Sequence, residues 1–402
     1  MNTIEVLKSR GLIHQFTDEK SLGKSFEDKV TFYIGFDPTA DSLHVGSLMG
    51  IMTAAHLQKL GHVPIMLVGG GTGIVGDPSG KSEDRNMLTL ELLKHNEECI
   101  GKQLTHFIEI KKGVGYFLNN YDWLKDLNYL NFLRDTGRYF RVNQMLENDT
   151  YKLKMENKQG LSFIEFNYQL LQAYDFKYLF QNYNCTLQVG GSDQWANITA
   201  GTGLVRRSLE KEVFGLTIPL LTTSSGKKMG KTETGAIWLD KNKTSVFDFF
   251  QFWINTTDED TKKFLKIYTY LDVDYINNLP FEKVEDIRFA KNLLAETVTK
   301  IVHGEEETEK AKEDSSNIFK NTDKLSIAKK HKVKIGENLI DVINKLDSTL
   351  SKSEIKRRIN ARVIKINNVS VTDPLFKISV EIFVDGEALL VITKTSFFSL
   401  SI

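Results

Sequence analysis

The stretch that most constrains the fold runs from Val30 to Val68. Val30 to Ile34 is a β-branched and aromatic run that predicts a buried strand. After a polar segment, Asp37-Pro-Thr39-Ala-Asp-Ser-Leu-His44-Val-Gly46-Ser47, the apolar positions Val45, Leu48, Met52, Ala55 and Leu60 recur at helical spacing until Gly61. A second apolar run, Val63 to Val68, follows at once. The pattern is strand, loop, helix, strand, with the polar residues where the first strand turns into the helix. In open parallel sheets ligands bind beyond the carboxyl ends of the strands, and helix N-termini attract phosphate. His44 and Gly46 stand at that N-terminus. Glycine allows close approach to the backbone, and an imidazole donates to a phosphate oxygen.

A chain of 402 residues exceeds the size at which single cores split, so more than one domain is expected. The formal net charge is zero, so nucleic-acid contact has to come from local patches. Cys99 and Cys185 form no disulfide framework or metal-ligand pattern and suit a reducing compartment; the histidines are scattered, and no metal site is expected. No apolar run reaches membrane-spanning length, and Met1 to Gly23 lacks a secretory core. Leu7, Leu12, Ile13 and Phe16 predict one short amphipathic packing helix.

Gly69-Gly-Gly-Thr-Gly73-Ile-Val-Gly76-Asp77-Pro-Ser-Gly80-Lys81-Ser-Glu-Asp-Arg85 is either a flexible glycine turn or a functional loop. Its place after a buried strand, with Asp77, Lys81 and Arg85 in train, favours function, although the order of a P-loop is absent. Residues 90–158 predict amphipathic helices with an Asn119-Asn-Tyr-Asp122-Trp connector, and Phe132, Tyr139 and Phe140 read as core. In Ser162 to Phe176, Tyr168, Gln172 and Asp175 share one face of a half-buried helix, where polar groups need partners. Cys185 to Ile198 repeats the strand–glycine–helix design and sets Gln188, Gly191, Asp193 and Gln194 at the turn. Arg206 and Arg207 end the next helix, as dipole caps or as an RNA contact. Val213 to Leu221 predicts another strand, leading to Gly226-Lys-Lys228-Met229-Gly230-Lys231-Thr, a loop of small residues and lysines able to close over a polyphosphate.

These motifs together resemble the class I aminoacyl-tRNA synthetases. His44-Val-Gly46-Ser47 is similar to their "HIGH" signature, Lys228-Met-Gly-Lys231 to their "KMSKS" signature, and the flanking residues resemble the bacterial tyrosyl branch. The resemblance implies activation of L-tyrosine by ATP, with Mg2+ carried on the phosphates, and transfer to tRNA(Tyr). It places Tyr33, Asp77, Tyr168, Gln172, Asp175 and Gln188 around tyrosine, with Tyr33 and Asp175 on the phenol and Tyr168 and Gln172 on the ammonium. It places Asp37, Gly46, Ser47, Gly191, Asp193, Gln194, Lys228 and Lys231 around ATP. Catalysis by charge stabilisation falls to Thr39, His44, Lys81, Arg85, Lys228 and Lys231. One departure stands out: Ser47 occupies the place of the second signature histidine.

From Thr244 to about Lys330 the pattern turns helical and charged, similar to the family's anticodon-side region. Between Lys352 and Lys365 six basic side chains (Lys352, Lys356, Arg357, Arg358, Arg362 and Lys365) face one acid, Glu354. Followed by short strand patterns at 363–371, 382–384 and 389–392, this basic helix resembles a small RNA-binding domain shared with a ribosomal protein. The expected architecture is α/β: a Rossmann-like catalytic domain over 1–235 with a helical dimer-interface insertion over 90–158, a helical domain over 236–332, and a small α+β domain over 333–402. A cytoplasmic homodimer is implied. A tryptophanyl synthetase, a non-enzymatic RNA-binding descendant and a small-molecule adenylyltransferase are the competing readings. Tyr33 with Asp175, the near-complete site, and the basic C-terminal domain argue against each in turn.

Overall fold

The computed structural model describes residues 2–77, 89–147, 149–157, 160–220, 231–232, 235–319, 328–347, 349–367, 369–384, 386–393 and 396–402. Its first sheet has six strands in the order β1-β6-β5-β2-β3-β4: β1 (Gln15–Phe16), β2 (Thr31–Phe36), β3 (Val63–Val68), β4 (Tyr116–Asn119), β5 (Cys185–Gly191) and β6 (Phe214–Ile218). All neighbours run parallel except β1, which is antiparallel to β6. β3 is buried at every position, as expected for a central parallel strand covered on both faces. From β2 the chain steps outward to β3 and β4, and from β5 the other way to β6. The adjacent pair β2 and β5 therefore forms the topological switch point, where a crevice opens beyond the strand ends.

The Val45–Lys59 helix follows β2 and is apolar on nearly all sides, with eleven of its residues buried from Val45 to Leu57. A helix of that kind belongs inside the fold, not on its surface. It stops where Leu60 and then Gly61, at φ +94°, leave helical geometry. The Phe163–Tyr183 helix opens with a capping box of Ser162 and Glu165 and ends at Asn184 in the left-handed region.

Three expectations need correction. The N-terminal helix covers only Thr3–Ser9: Gly11 at φ +73° breaks it, and Phe16 goes into β1. The 90–158 insertion is not all helical, because Tyr116–Asn119 extends the sheet in register with Ile65–Val68. Four half-buried residues inside a helical segment are too few to show a strand period. In the C-terminal region 382–384 is no strand; Val380–Ile382 forms a 3-10 turn, and Val384 makes only an isolated bridge to Glu387.

Two short strands, β7 (Lys231–Thr232) and β8 (Gly235–Ala236), form a ribbon. The chain divides into two compact units, residues 1–231 with 236–304, and residues 232–235 with 305–402. The helices Val246–Ile254, Asp258–Tyr268 and Val284–His303 thus cluster with the catalytic sheet, although a separate domain over 236–332 was anticipated. Arg10 explains part of this tie, donating to the carbonyls of Lys266, Thr269 and Leu271.

The second unit holds a five-stranded sheet in the order β11-β10-β12-β13-β9. These strands are β9 (Lys329–Lys332), β10 (Lys365–Ile366), β11 (Val369–Ser370), β12 (Glu387–Val391) and β13 (Phe397–Ser401). β9 lies upstream of the anticipated start at 333. The run 363–371 is split because Arg362 and Asn367 adopt positive φ, folding β10 and β11 into a hairpin. Ile343, Ile355, Ile359, Leu390 and Leu400 form part of the core beneath.

Candidate active site

A cavity of about 420 Å³ opens beyond the strand ends at the β2–β5 switch point. It is lined from β2 and its end by Tyr33 and Asp37, from the start of the Val45–Lys59 helix by His44, Gly46 and Ser47, from the Phe163–Tyr183 helix by Tyr168, Gln172 and Asp175, and from β5 by Gln188. Gly191, Asp193 and Gln194 line the same space, as do Thr39 and Asp77. Residues spread over more than 150 positions of sequence thus meet at one place.

At the inner end, Tyr33 and Asp175 are almost wholly buried. Among the described residues the Tyr33 hydroxyl has no hydrogen-bond partner. The Asp175 carboxylate accepts from Asn120 Nδ2 at 2.9 Å and from Trp123 Nε1 at 2.8 Å. Burial raises the Asp175 carboxyl to about 7 in spite of those two donors, which pull it down, and Asp37 adds to the rise. Burial and the nearby Asp175 push the Tyr33 phenol well above its usual value. The two groups feel each other's charge without a bond between them. A hydroxyl that both donates and accepts would satisfy both.

Asn120 and Trp123 were absent from the expected site. They follow β4, so reading that strand in the sequence would have set them at the ligand end of the sheet. Asn120 does more than hold Asp175. Its Oδ1 accepts from Gly71 N at 2.8 Å, and its Nδ2 also donates to Thr72 Oγ1 at 3.0 Å. Thr72 in turn donates to Asp37 at 3.1 Å, and Tyr168 donates to the other Asp37 oxygen at 3.3 Å. The glycine run is therefore not loose: Gly70–Val75 is a short helix pinned by Asn119 and Asn120. An added Cβ at Gly69 would lie 2.2 Å from Asp37 Oδ1 and 2.4 Å from Thr72 Oγ1, so a side chain there would push apart the Thr72–Asp37 pair.

A second polar chain runs along the floor. Gln172 donates to Gln194 Oε1 at 3.3 Å, and Gln194 donates to Asp77 at 2.8 Å. Among the described residues the buried Oε1 atoms of Gln172 and Gln188 have no partner. Asp37 and Asp77 with these amide oxygens make an acceptor-rich wall, suited to an ammonium group. Asp37, expected at the nucleotide, is thus bonded into the Thr72–Tyr168 group.

At the outer end His44 caps the Val45–Lys59 helix. Its Nδ1 accepts the Gly46 N–H at 3.0 Å, which places the proton of the neutral ring on Nε2. Leu43 to Val45 is bridged by the strand after the lysine loop: Val45 N donates to Ile237 O, and Leu239 N to Leu43 O. The Trp238 ring stands edge-on to His44 at 6.0 Å. The downstream end of the lysine loop is therefore anchored against the first signature. Ser47 lies half-buried in the first turn, and Asp193 is exposed at the rim. Lys81, Arg85 and Lys228 lie outside the described residues, and for Lys231 only the backbone is described.

Arg206 and Arg207 are exposed in the last turn of the Trp195–Leu209 helix. Burial and the neighbouring Arg206 and Arg141 lower the Arg207 guanidinium, which marks a local cationic patch. On the second unit Lys352, Lys356, Arg357 and Arg358 lie on the Lys352–Asn360 helix. Lys352 pairs with Asp341, and Arg357 and Arg358 both pair with Glu354. Arg362 and Lys365 are exposed beyond the helix. Sequence reasoning passed over Lys329-Lys-His-Lys332 and Lys334, although that basic run is visible in the sequence and its lysines are exposed.

Residues 24–320 match the family described as tRNA synthetases class I (W and Y). A tyrosine–tRNA ligase of Fusobacterium nucleatum is 47% identical over 382 residues, 94% of each chain. One of Acetivibrio thermocellus is 46% identical over 395 residues, covering 97% of this chain and 96% of its own. Among solved structures, a C-terminally truncated mitochondrial tyrosyl-tRNA synthetase of Aspergillus nidulans superposes with a TM-score of 0.72 at 33% identity. That match covers 79% of this chain and 94% of the other. With its switch-point cavity and paired signatures, the chain belongs to the class I aminoacyl-tRNA synthetases of the tryptophanyl and tyrosyl family.

Proposed function

We infer that the chain is a tyrosine–tRNA ligase. It joins L-tyrosine to ATP as tyrosyl-adenylate with release of pyrophosphate, and passes the tyrosyl group to a hydroxyl at the 3′ end of tRNA(Tyr) with release of AMP. The observation that carries the reading is the buried pair at the cavity's inner end. The Tyr33 hydroxyl, without a partner among the described residues, and the Asp175 carboxylate are complementary to a phenol. An indole N–H would serve Asp175 but offer nothing to the Tyr33 O–H.

In this reading Asp37, Asp77, Tyr168 and Gln172 hold the ammonium, and Gln188 and Gln194 lie beside the carboxylate. The nucleotide sits over Gly46, Ser47, Gly191 and Asp193, with the Asp193 carboxylate on the ribose. The tyrosine carboxylate attacks the α-phosphate in line. No covalent nucleophile is needed, because placement and charge stabilisation supply the rate. Thr39 and the His44 Nε2–H face the phosphates, with Lys81, Arg85, Lys228 and Lys231 as the neutralising cations. Magnesium would arrive on the ATP phosphates, whose charge it offsets.

The first unit carries activation, and the basic helix of 333–402, with Arg206 and Arg207, carries RNA contacts. Exposed Tyr129, Leu130, Leu133, Val142 and Phe163 favour a second copy of the chain over the 90–158 insertion. No described helix is long and apolar enough to cross a membrane. We place the enzyme in the cytoplasm, with tRNA and ATP. Incubation with ATP, labelled tyrosine and tRNA should yield acid-precipitable tyrosyl-tRNA. Failure to charge tRNA that a related ligase does charge would overturn the reading.

A further inference from the structure

The helix that carries Tyr168, Gln172 and Asp175 is held at its first turn by a buried ion pair. Lys154 Nζ lies 2.5 Å from Glu165 Oε1, with the two side chains only 4% and 13% exposed. The other Glu165 oxygen accepts the Ser162 N–H and hydroxyl, both at 3.1 Å, closing the capping box. A second tether comes from the same short helix, Asp149–Glu156. The Tyr151 hydroxyl donates to the Glu165 carbonyl at 3.1 Å, and the Tyr151 ring lies against Phe166. Tyr151 is itself almost wholly buried and within the electrostatic reach of Asp77. Burial pushes the Glu165 carboxyl up, but Lys154 and Ser162 outweigh it, leaving the group below its usual value and ionised.

A buried ion pair is poor evidence of stabilisation, since desolvating two charges offsets much of their attraction. What this pair does have is position. Glu165 stands one turn before Tyr168 and two before Gln172, the residues at the ammonium end. Asp175 stands ten residues on from Glu165, roughly 15 Å along the axis at 1.5 Å per residue, and one turn beyond Gln172. There it has its own supports in Asn120 and Trp123.

We propose that Lys154 is a positioning residue for tyrosine. Through Glu165, and together with Tyr151, it fixes the turn that sets Tyr168 and Gln172 against Asp37 and Gln194. This rests on the tyrosine–tRNA ligase reading and deepens it. Its signature is selective: the ammonium end loosens while the phenol end and the nucleotide side do not.

The test is tyrosine-dependent pyrophosphate exchange by the full chain, comparing the unmodified protein with Lys154→Met/Glu165→Gln. The double change removes both charges of the pair together and keeps a glutamine able to close the capping box. KM for tyrosine should rise about tenfold, while kcat, KM for ATP and the preference for tyrosine over phenylalanine stay within about twofold, the pattern of lost uniform binding. A smaller rise is expected in Tyr151→Phe, which keeps the ion pair and serves if the double variant does not fold. An unchanged KM for tyrosine in both variants would overturn the proposal. So would parallel losses in every constant with a fall in melting temperature, because that marks a purely structural role. If the unmodified protein shows no tyrosine-dependent exchange, the ligase reading itself fails.

Discussion

The Tyr33 hydroxyl is buried, and no group among the described residues bonds it. A neutral hydrogen bond to a bound phenol contributes about 0.5–1.5 kcal/mol, so Tyr33→Phe should lower the preference for tyrosine over phenylalanine by about two- to tenfold. A matched pair of exchange assays checks this; a variant that discriminates as well as the unmodified protein would contradict the assignment. Asp175 gives a pH test. Its carboxyl is raised to about 7, so the native site holds a proton where the unfolded chain, near 3.8, does not. The empty protein thus loses this group's share of stability as pH rises from 3.8 through about 7. The phenol donates to the carboxylate, so tyrosine affinity should strengthen over the upper part of that range. Trp123→Phe removes one of the donors that lower the Asp175 pKa and should move the midpoint of tyrosine binding upward. Titrations of tyrosine affinity from pH 6 to 8.5 decide this. Tyr168, Gln172 and Asp175 were legible because polar side chains interrupt an apolar helix at a fixed spacing, whereas Tyr33 was reached only through the resemblance to the tyrosyl branch. Asn120 and Trp123 were not, because an edge strand of four residues leaves no periodic trace.

Among the elements, the Val45–Lys59 helix joins the signature at its N-terminus to the helical region at its far end. Its strand–helix–strand frame was plain in the sequence, since burial on every side leaves a dense apolar run between two apolar strands. The far end was not, because it depends on contacts with residues more than 200 positions away. There His56 lies buried edge-on to Tyr270, and Lys59 lies over the Tyr270 ring. Arg10 caps the carbonyls of the neighbouring segment. Burial first, then Arg10 and Lys59, hold the imidazole neutral down to about 3, against a slight pull upward from the Thr269 backbone. The folded value lies below the unfolded 6.5, so the stability is full above pH 6.5 and is lost as pH falls toward 3. The slope is about 1.4 kcal/mol per pH unit for one such group. His56→Gln should flatten denaturant-measured stability between pH 6.5 and 5; an unchanged slope would show that other groups set it.

For the whole molecule, the motifs for activation all precede the second unit. Ending the chain at Gly304 should leave adenylate formation largely intact and cut transfer to tRNA sharply. In the full chain, charging should weaken steeply with salt, since exposed lysines and arginines bind phosphates by counterion release. Equal losses of both steps on truncation would make the second unit structural. The unit boundary was only partly legible: composition shifts near 330, whereas the packing break falls at 304–305. Tertiary contacts such as Arg10 to three distant carbonyls decide that, and no local pattern announces them. The most direct measurement is pyrophosphate exchange into ATP by the purified full chain, run with tyrosine, phenylalanine and tryptophan in parallel. Exchange with tyrosine, and little with the other two, is the expected result. Exchange driven equally by tryptophan or phenylalanine, or by none of the three, would contradict the reading of the cavity as a phenol-selective activation site.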